Sequence, residues 1–249
     1  MKNRYYVQLS YKGTHYHGWQ IQPNANSIQQ ELNNAFGLLL REPVELTGAG
    51  RTDTGVHASY YIAHFDSIHS DLHLNQKLLY KINSVLPNDI AIQKICSVKN
   101  DAHARFDATS RTYKYFIVQQ KNPFFNDSAW QLLQTLDIVL MNKAAQTLKQ
   151  FTDFTSFSKL HSDNKTNICQ IKHAEWTVED QKLVFNITAD RFLRNMVRAI
   201  VGTLVDIGLK KINLERLKEI IESKNRSNAG TSAPAKGLFL TDIEYGYRF

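Results

Sequence analysis

The sequence predicts an α+β fold, with helices packed against a largely antiparallel sheet. Three observations lead there: strand-like segments outnumber helical ones, many neighbouring strands look hairpin-linked, and helices do not alternate strictly with strands as a parallel sheet requires. Tyr5 to Tyr11 alternates in the strand manner and leads into a turn-rich loop, Gly13 to Gln20. Ser27-Ile28-Gln29-Gln30 has the form of a capping box, and Ile28, Leu32, Ala35 and Leu39 then recur at helical spacing up to Arg41. Val44 to Leu46 reads as a short strand before a glycine-rich loop, Gly48 to Gly55, and Ser59 to Phe65 as another strand. Leu74 to Val85 has helical periodicity and stops before Pro87. Ile90 to Val98 and Arg111 to Gln119 are rich in Ile, Val, Tyr and Phe, as strands are. A helix is expected over Asp137 to Phe151. A hairpin follows, with arms Glu175 to Val178 and Leu183 to Ala189, turning at Glu179-Asp180-Gln181. Helices are expected over Phe192 to Ile207 and Leu214 to Glu222, and a last strand over Leu238 to Tyr245. The polar stretch Ser158 to Asn167 is the best loop or lobe boundary.

The chain's 249 residues suffice for one large unit or two lobes. Its net charge of +7 and pI near 9.3 make a polyanion such as nucleic acid a leading partner, although charge alone is equally compatible with an unspecialised basic protein. Cys96 and Cys169 are the only cysteines and stand far apart, which argues against a disulfide scaffold and a thiolate zinc site. No His-Glu-x-x-His pattern occurs, so no metal site is expected. No segment has signal-peptide or membrane-spanning length, and the chain is expected in the cytoplasm.

Three segments carry chemistry. In Gly48-Ala49-Gly50-Arg51-Thr52-Asp53-Thr54-Gly55-Val56-His57-Ala58 the glycines permit tight backbone that can push one side chain into a cleft, and the candidate is Asp53. From composition alone, Asp53-Thr54-Gly55 reads first as a plain Asx-type turn, which Asp and Gly favour anyway. A phosphate loop is excluded, because Gly-Lys followed by Ser or Thr is missing and a central Asp repels phosphate. In the second segment, His103 to Tyr115, a strand puts Arg111, Tyr113 and Tyr115 on one face and Lys114 and Phe116 on the other. A tyrosine near cations suits stacking on an unpaired base, or simply packs inward. In the third, Asp190 to Gly202, a helix would align Arg191, Arg194 and Arg198 as one stripe, beside Leu193, Met196, Val197, Ile200 and Leu204. Such a stripe is either a solvated face or the site of an anion.

At these segments the chain closely resembles the TruA family of tRNA pseudouridine synthases. Gly50-Arg51-Thr52-Asp53-x-Gly55-Val56-His57 resembles the family's nucleophile motif. His103-Ala104-Arg105-Phe106 through Arg111-x-Tyr113-x-Tyr115 resembles its tyrosine motif, and Phe192-Leu193-x-x-Met196-Val197-Arg198-x-Ile200-Val201-Gly202 its arginine motif. Tyr11 with Gly18-Trp19-Gln20, Leu86-Pro87-x-Asp89-Ile90, Asp153-Phe154-Thr155-Ser156-Phe157 and Ala235-Lys236-Gly237-Leu238 are similar too, in the family's order. Thr54 stands where Ala is common and Ala199 where Asn is common. Ser158 to Gln170 and the C-terminal end at Phe249 match less clearly.

The resemblance implies one catalytic unit over residues 1–249, with similar lobes near 1–105 and 106–249 that share a central sheet and flank an active cleft. It implies a homodimer that isomerises uridines at positions 38 to 40 of the tRNA anticodon stem-loop without a cofactor. Asp53 would be the nucleophile and Arg198 its charge partner, with Tyr113 stacking on the target base and Arg51 helping to hold that base flipped out. Arg105, Arg111, Arg191 and Arg194 are the further RNA-binding candidates. The alternatives are a pseudouridine synthase of different RNA target range and an inert RNA-binding module.

Overall fold

In the computed structural model, which describes residues 2–159 and 165–249, nine strands and five α-helices give an α+β fold. Five of the strand pairings described below are antiparallel and one is parallel. The chain forms two units, Met1–Thr109 with Leu240–Phe249, and Ser110–Phe239.

In the first unit, β1 (Asn3–Tyr11) lies between β3 (His57–Ser67) and β4 (Ile90–Ser97), antiparallel to both. The short β2 (Thr47–Gly48) pairs with β3, and β9 (Leu238–Tyr245) borders β3. Alternation along β1 sends Tyr5, Val7, Leu9 and Tyr11 to one buried face. Tyr6 points to the other face yet is also buried, because the C-terminal tail covers it: Phe249 meets its ring edge-on at 4.8 Å and the Tyr247 hydroxyl lies 2.8 Å from its own. Helix α1 (Ile28–Leu40) buries Ile28, Leu32, Ala35 and Phe36, the last against Phe65. Ser27 caps it by accepting the Gln30 N–H, but the Gln30 side chain turns to Asn34, so only half of the expected capping box forms. Helix α2 (Gln76–Val85) starts later than its periodicity suggests, because Leu72–Leu74 winds as a 3₁₀ turn and Asn75 then caps α2.

The second unit is built on β5 (Ala108–Val118), β8 (Lys182–Ala189) and β7 (Ile171–Glu179), in that order. β7 and β8 form the expected hairpin with both arms longer than read, and Asp180 and Gln181 take positive φ at its turn. β6 (Trp130–Gln131) pairs in parallel with the end of β5 and was not expected. Helix α3 (Ile138–Leu148) packs along β7, capped by Asp137, and α5 (Leu214–Glu222) is capped by Asn213. Residues 160–164, the middle of the segment read as a lobe boundary, lie outside the described residues.

Two further sequence expectations are corrected. Val44 to Leu46 is not a strand: the Leu46 N–H goes to Asn33 Oδ1 and its carbonyl accepts from Gln29 Nε2, so side chains of α1 take the bonds a neighbouring strand would use. Helix α4 runs Met196–Gly208 and does not begin at Phe192. Asn195 has φ 66°, a left-handed conformation an α-helix cannot pass through, and its side chain is anchored to Ser232 Oγ at 2.6 Å. Among the described residues, no helix is long and apolar enough to cross a membrane.

Candidate active site

In the first unit, Asp53 opens a four-residue turn. The Val56 N–H donates to the Asp53 carbonyl at 3.1 Å, and Gly55 has φ 77° at the turn's third position. The bond that closes this turn is made by the Asp53 backbone carbonyl, and the Asp53 side chain stands half-exposed at its head. The rest of the loop is clamped. Ala49 N–H donates to Ile62 on β3, and the Tyr61 hydroxyl donates to the Gly50 carbonyl. Buried Thr52 shares a hydroxyl contact of 2.8 Å with Tyr11, while its carbonyl accepts the Trp19 N–H at 3.3 Å. Trp19 in turn stacks on Tyr61, centroids 4.3 Å apart.

The loop of residues 12–19 lies against the Asp53 loop along its length. Gly13 N–H donates to His57 Nδ1 at 3.1 Å, so that nitrogen carries no proton; the Gly55 N–H donates to the Tyr16 carbonyl at 3.3 Å. Gly18 has φ 91°, and a Cβ there would sit 2.3 Å from the Thr52 carbonyl oxygen. Buried Tyr16 donates its hydroxyl to Asp89 Oδ1 at 2.6 Å, and burial, then that bond, pushes the hydroxyl's pKa up. The Asp89 carbonyl also accepts from Lys12 N–H. The Tyr11, Gly18-Trp19 and Leu86-Pro87-x-Asp89 matches thus belong to one support for the Asp53 loop. Sequence reasoning had these segments without their role. It missed Tyr16 and Tyr61, which no local pattern marks. Arg51 and Arg105 are exposed in this unit.

In the second unit, Tyr113 pairs with Ile187 in the β5–β8 ladder and meets Phe192 edge-on at 5.2 Å, with planes 89° apart. Burial grades along its face of β5. Tyr115 is wholly buried, donates to the Pro234 carbonyl at 2.8 Å, and has its pKa raised by that burial against the lowering charge of Arg198. Tyr113 and Arg111 nearer the strand's start are half-buried, so the inward-packing tyrosine of this motif is Tyr115. Arg111 donates to the Asp190 carbonyl at 3.0 Å. Arg198, on the first turn of α4, is tied at both ends of its residue to Ala233: its Nε donates to the Ala233 carbonyl at 2.7 Å and its own carbonyl accepts the Ala233 N–H. Because α4 starts at Met196, half-buried Arg191 and exposed Arg194 precede it and do not form a helical stripe with Arg198. Burial pushes the Cys169 thiol up to about 12, so it is no nucleophile near neutral pH. Among the described residues, no cluster of three or more His, Cys, Asp or Glu could hold a metal ion.

The chain is similar to known proteins over nearly its whole length. A family model described as tRNA pseudouridine synthase matches residues 9–107 and 144–246. The tRNA pseudouridine synthase A of Bacteroides fragilis is 56% identical over 97% of this chain and 96% of its own. That of Porphyromonas gingivalis is 49% identical over 97% of both chains, and that of Thermoanaerobacter sp. 40% identical over 96% and 98%.

Proposed function

The chain belongs to the tRNA pseudouridine synthase family, and we propose from that premise that it isomerises uridine at positions 38 to 40 of the tRNA anticodon stem-loop, with Asp53 as nucleophile. The observation that carries this reading is the display of one carboxylate at the head of a turn whose backbone is fixed by Tyr11, Tyr16, Trp19 and Tyr61. A group that must attack one atom of a flipped nucleotide gains from such a fixed loop, because catalysis depends on near-attack geometry.

The isomerisation breaks the N1–C1′ glycosidic bond and joins C5 to C1′. A proton leaves C5, N1 ends protonated, and no electron is gained or lost. A carboxylate that adds covalently to the nucleotide divides this exchange into easier steps. Arg198 serves the reaction as the catalytic arginine. A uridine in a stem must leave its stack, at a cost of a few kcal/mol, and Arg51 assists that extrusion. Stacking on Tyr113 offsets roughly 1–3 kcal/mol of it. Arg105, Arg111, Arg191 and Arg194 contribute positive charge towards the phosphates, which orient a stem without reading its sequence. The two units act as one catalytic unit, in a homodimer, in the cytoplasm.

The test is tRNA tritiated at uracil C5. Stoichiometric tritium release that maps to positions 38 to 40 is expected, and Asp53→Asn should abolish release while tRNA still binds. Release from other positions would reassign the target, and no release from any tRNA would reject the reading.

A further inference from the structure

The loop of residues 102–107, in the first unit, displays a side chain that folding does not call for. Phe106 keeps 74% of its surface exposed, and Arg105 beside it is exposed as well. A single exposed apolar residue is ordinary on a protein surface. This one differs in being presented by a backbone that is tied at nearly every step.

Arg4 donates to the Ala102 carbonyl at 2.9 Å, while being held by its two bonds to Asp66. The Ala104 N–H donates to His64 Nδ1 at 3.2 Å, and the Tyr245 hydroxyl to the Ala104 carbonyl at 2.6 Å. His103 Nδ1 accepts the N–H groups of both Arg105 and Phe106, at 3.1 and 3.3 Å. The Asp107 carboxylate closes the loop by accepting the His103 N–H and the Tyr247 hydroxyl, each at 2.8 Å. The rings continue this bracing. His64 meets His103 edge-on at 4.6 Å, and His103 lies 4.2 Å from Phe106 with planes 33° apart. The Arg105 guanidinium carbon is 5.7 Å from the Phe106 centroid.

The Phe106 ring is therefore backed by an imidazole, flanked by a guanidinium and otherwise in water. A fixed aromatic face loses little freedom on binding, and a face beside a cation suits a base joined to a phosphate. Unpaired nucleotides are recognised by stacking of this kind. We propose that Phe106, with Arg105, is a second base-stacking site, which takes an unpaired nucleotide of the bound tRNA other than the uridine that reacts. The proposal rests on the reading of the chain as an enzyme of tRNA and gives Phe106, at the head of the tyrosine motif, a role separate from the stacking assigned to Tyr113.

The experiment compares wild type, Phe106→Leu and Phe106→Trp, with tRNA affinity, single-turnover tritium release and oligomeric state as readouts. Leu keeps an apolar side chain and removes the π face; Trp keeps that face. Phe106→Leu should weaken tRNA binding about 5- to 150-fold, the equivalent of about 1–3 kcal/mol for one stacked base. The loss should fall on Kd and KM more than on the single-turnover rate. Phe106→Trp should bind as wild type does, and its added indole fluorescence, read as a difference from wild type, should be quenched by tRNA. Wild-type affinity in Phe106→Leu would overturn the proposal, as would an added indole signal in a folded Phe106→Trp that is indifferent to tRNA. So would an oligomer that dissociates in Phe106→Leu before any tRNA is added, which would give the ring to a second copy of the chain. An active wild type with a normal Phe106→Leu sinks only this site; an inactive wild type sinks the function itself.

Discussion

Gly18→Ala is the sharpest perturbation of the Asp53 support. It adds one methyl group at a residue with φ 91°, a conformation that L side chains rarely adopt, at a cost of about 1–2 kcal/mol. The new Cβ would also lie 2.3 Å from the Thr52 carbonyl oxygen and 3.2 Å from the Asp53 carbonyl carbon, both backbone atoms. Contacts shorter than 3.0 Å essentially never occur, so the two loops must part by at least about 0.7 Å, the difference of the two distances. The same carbonyl accepts the Trp19 N–H, and lengthening that bond removes about 1 kcal/mol more. The sum, about 2–3 kcal/mol, corresponds to a fall in Tm of about 4–12 °C for a chain of this size. Displacing a reacting group by about 1 Å costs about 100-fold in rate, so the single-turnover rate should fall about 10- to 100-fold well below the new Tm. Tritium release at saturating enzyme, beside a thermal melt of the same sample, measures both. A variant with wild-type rate and wild-type Tm would show that the Gly18 and Thr52 backbones do not press on one another, and the account of the support would be wrong.

Other perturbations test separate links. Asp89→Ala leaves the buried Tyr16 hydroxyl without its acceptor and should cost about 1–3 kcal/mol, whereas Asp89→Asn keeps an acceptor and should recover most of it; equal losses in both variants would point to charge instead of the hydrogen bond. Tyr113→Leu should lower turnover about 5- to 150-fold and affinity much less, because one stack acts on one base; near-normal turnover would make Tyr113 a packing residue, as its edge-on contact with Phe192 allows. His64 supplies a pH test. Burial first, then the charge of Arg4, holds its pKa down to about 4, and its Nδ1 accepts the Ala104 N–H, a bond that protonation of Nδ1 would break. Because the unfolded imidazole titrates near 6.5, the unfolded chain binds the extra proton first, and stability should fall as pH drops from about 6.5 to about 4. The Tm of His64→Gln should fall less over that interval, and parallel Tm curves would contradict the assignment.

What the sequence determined by itself was whatever is local. Alternation marked β1, since a strand packed on one face must alternate, and the bounds of α5 and β9 coincide with their pattern. The Asp53 loop was legible because turn chemistry is written in adjacent residues, and the three motifs carried the family resemblance that the comparisons bear out. Tertiary structure decided what depends on distant partners. Asn195 stops α4 short because Ser232, 37 residues on, holds its side chain, and this removed the arginine stripe that helical spacing had drawn. Leu46 is no strand because α1 side chains take its main-chain bonds, and β6 exists only through the end of β5. Tyr16 finds Asp89 across 73 positions and Tyr11 finds Thr52 across 41. Spacing within one element cannot encode such pairs, because a hydrogen bond is set by where two chain segments meet in space.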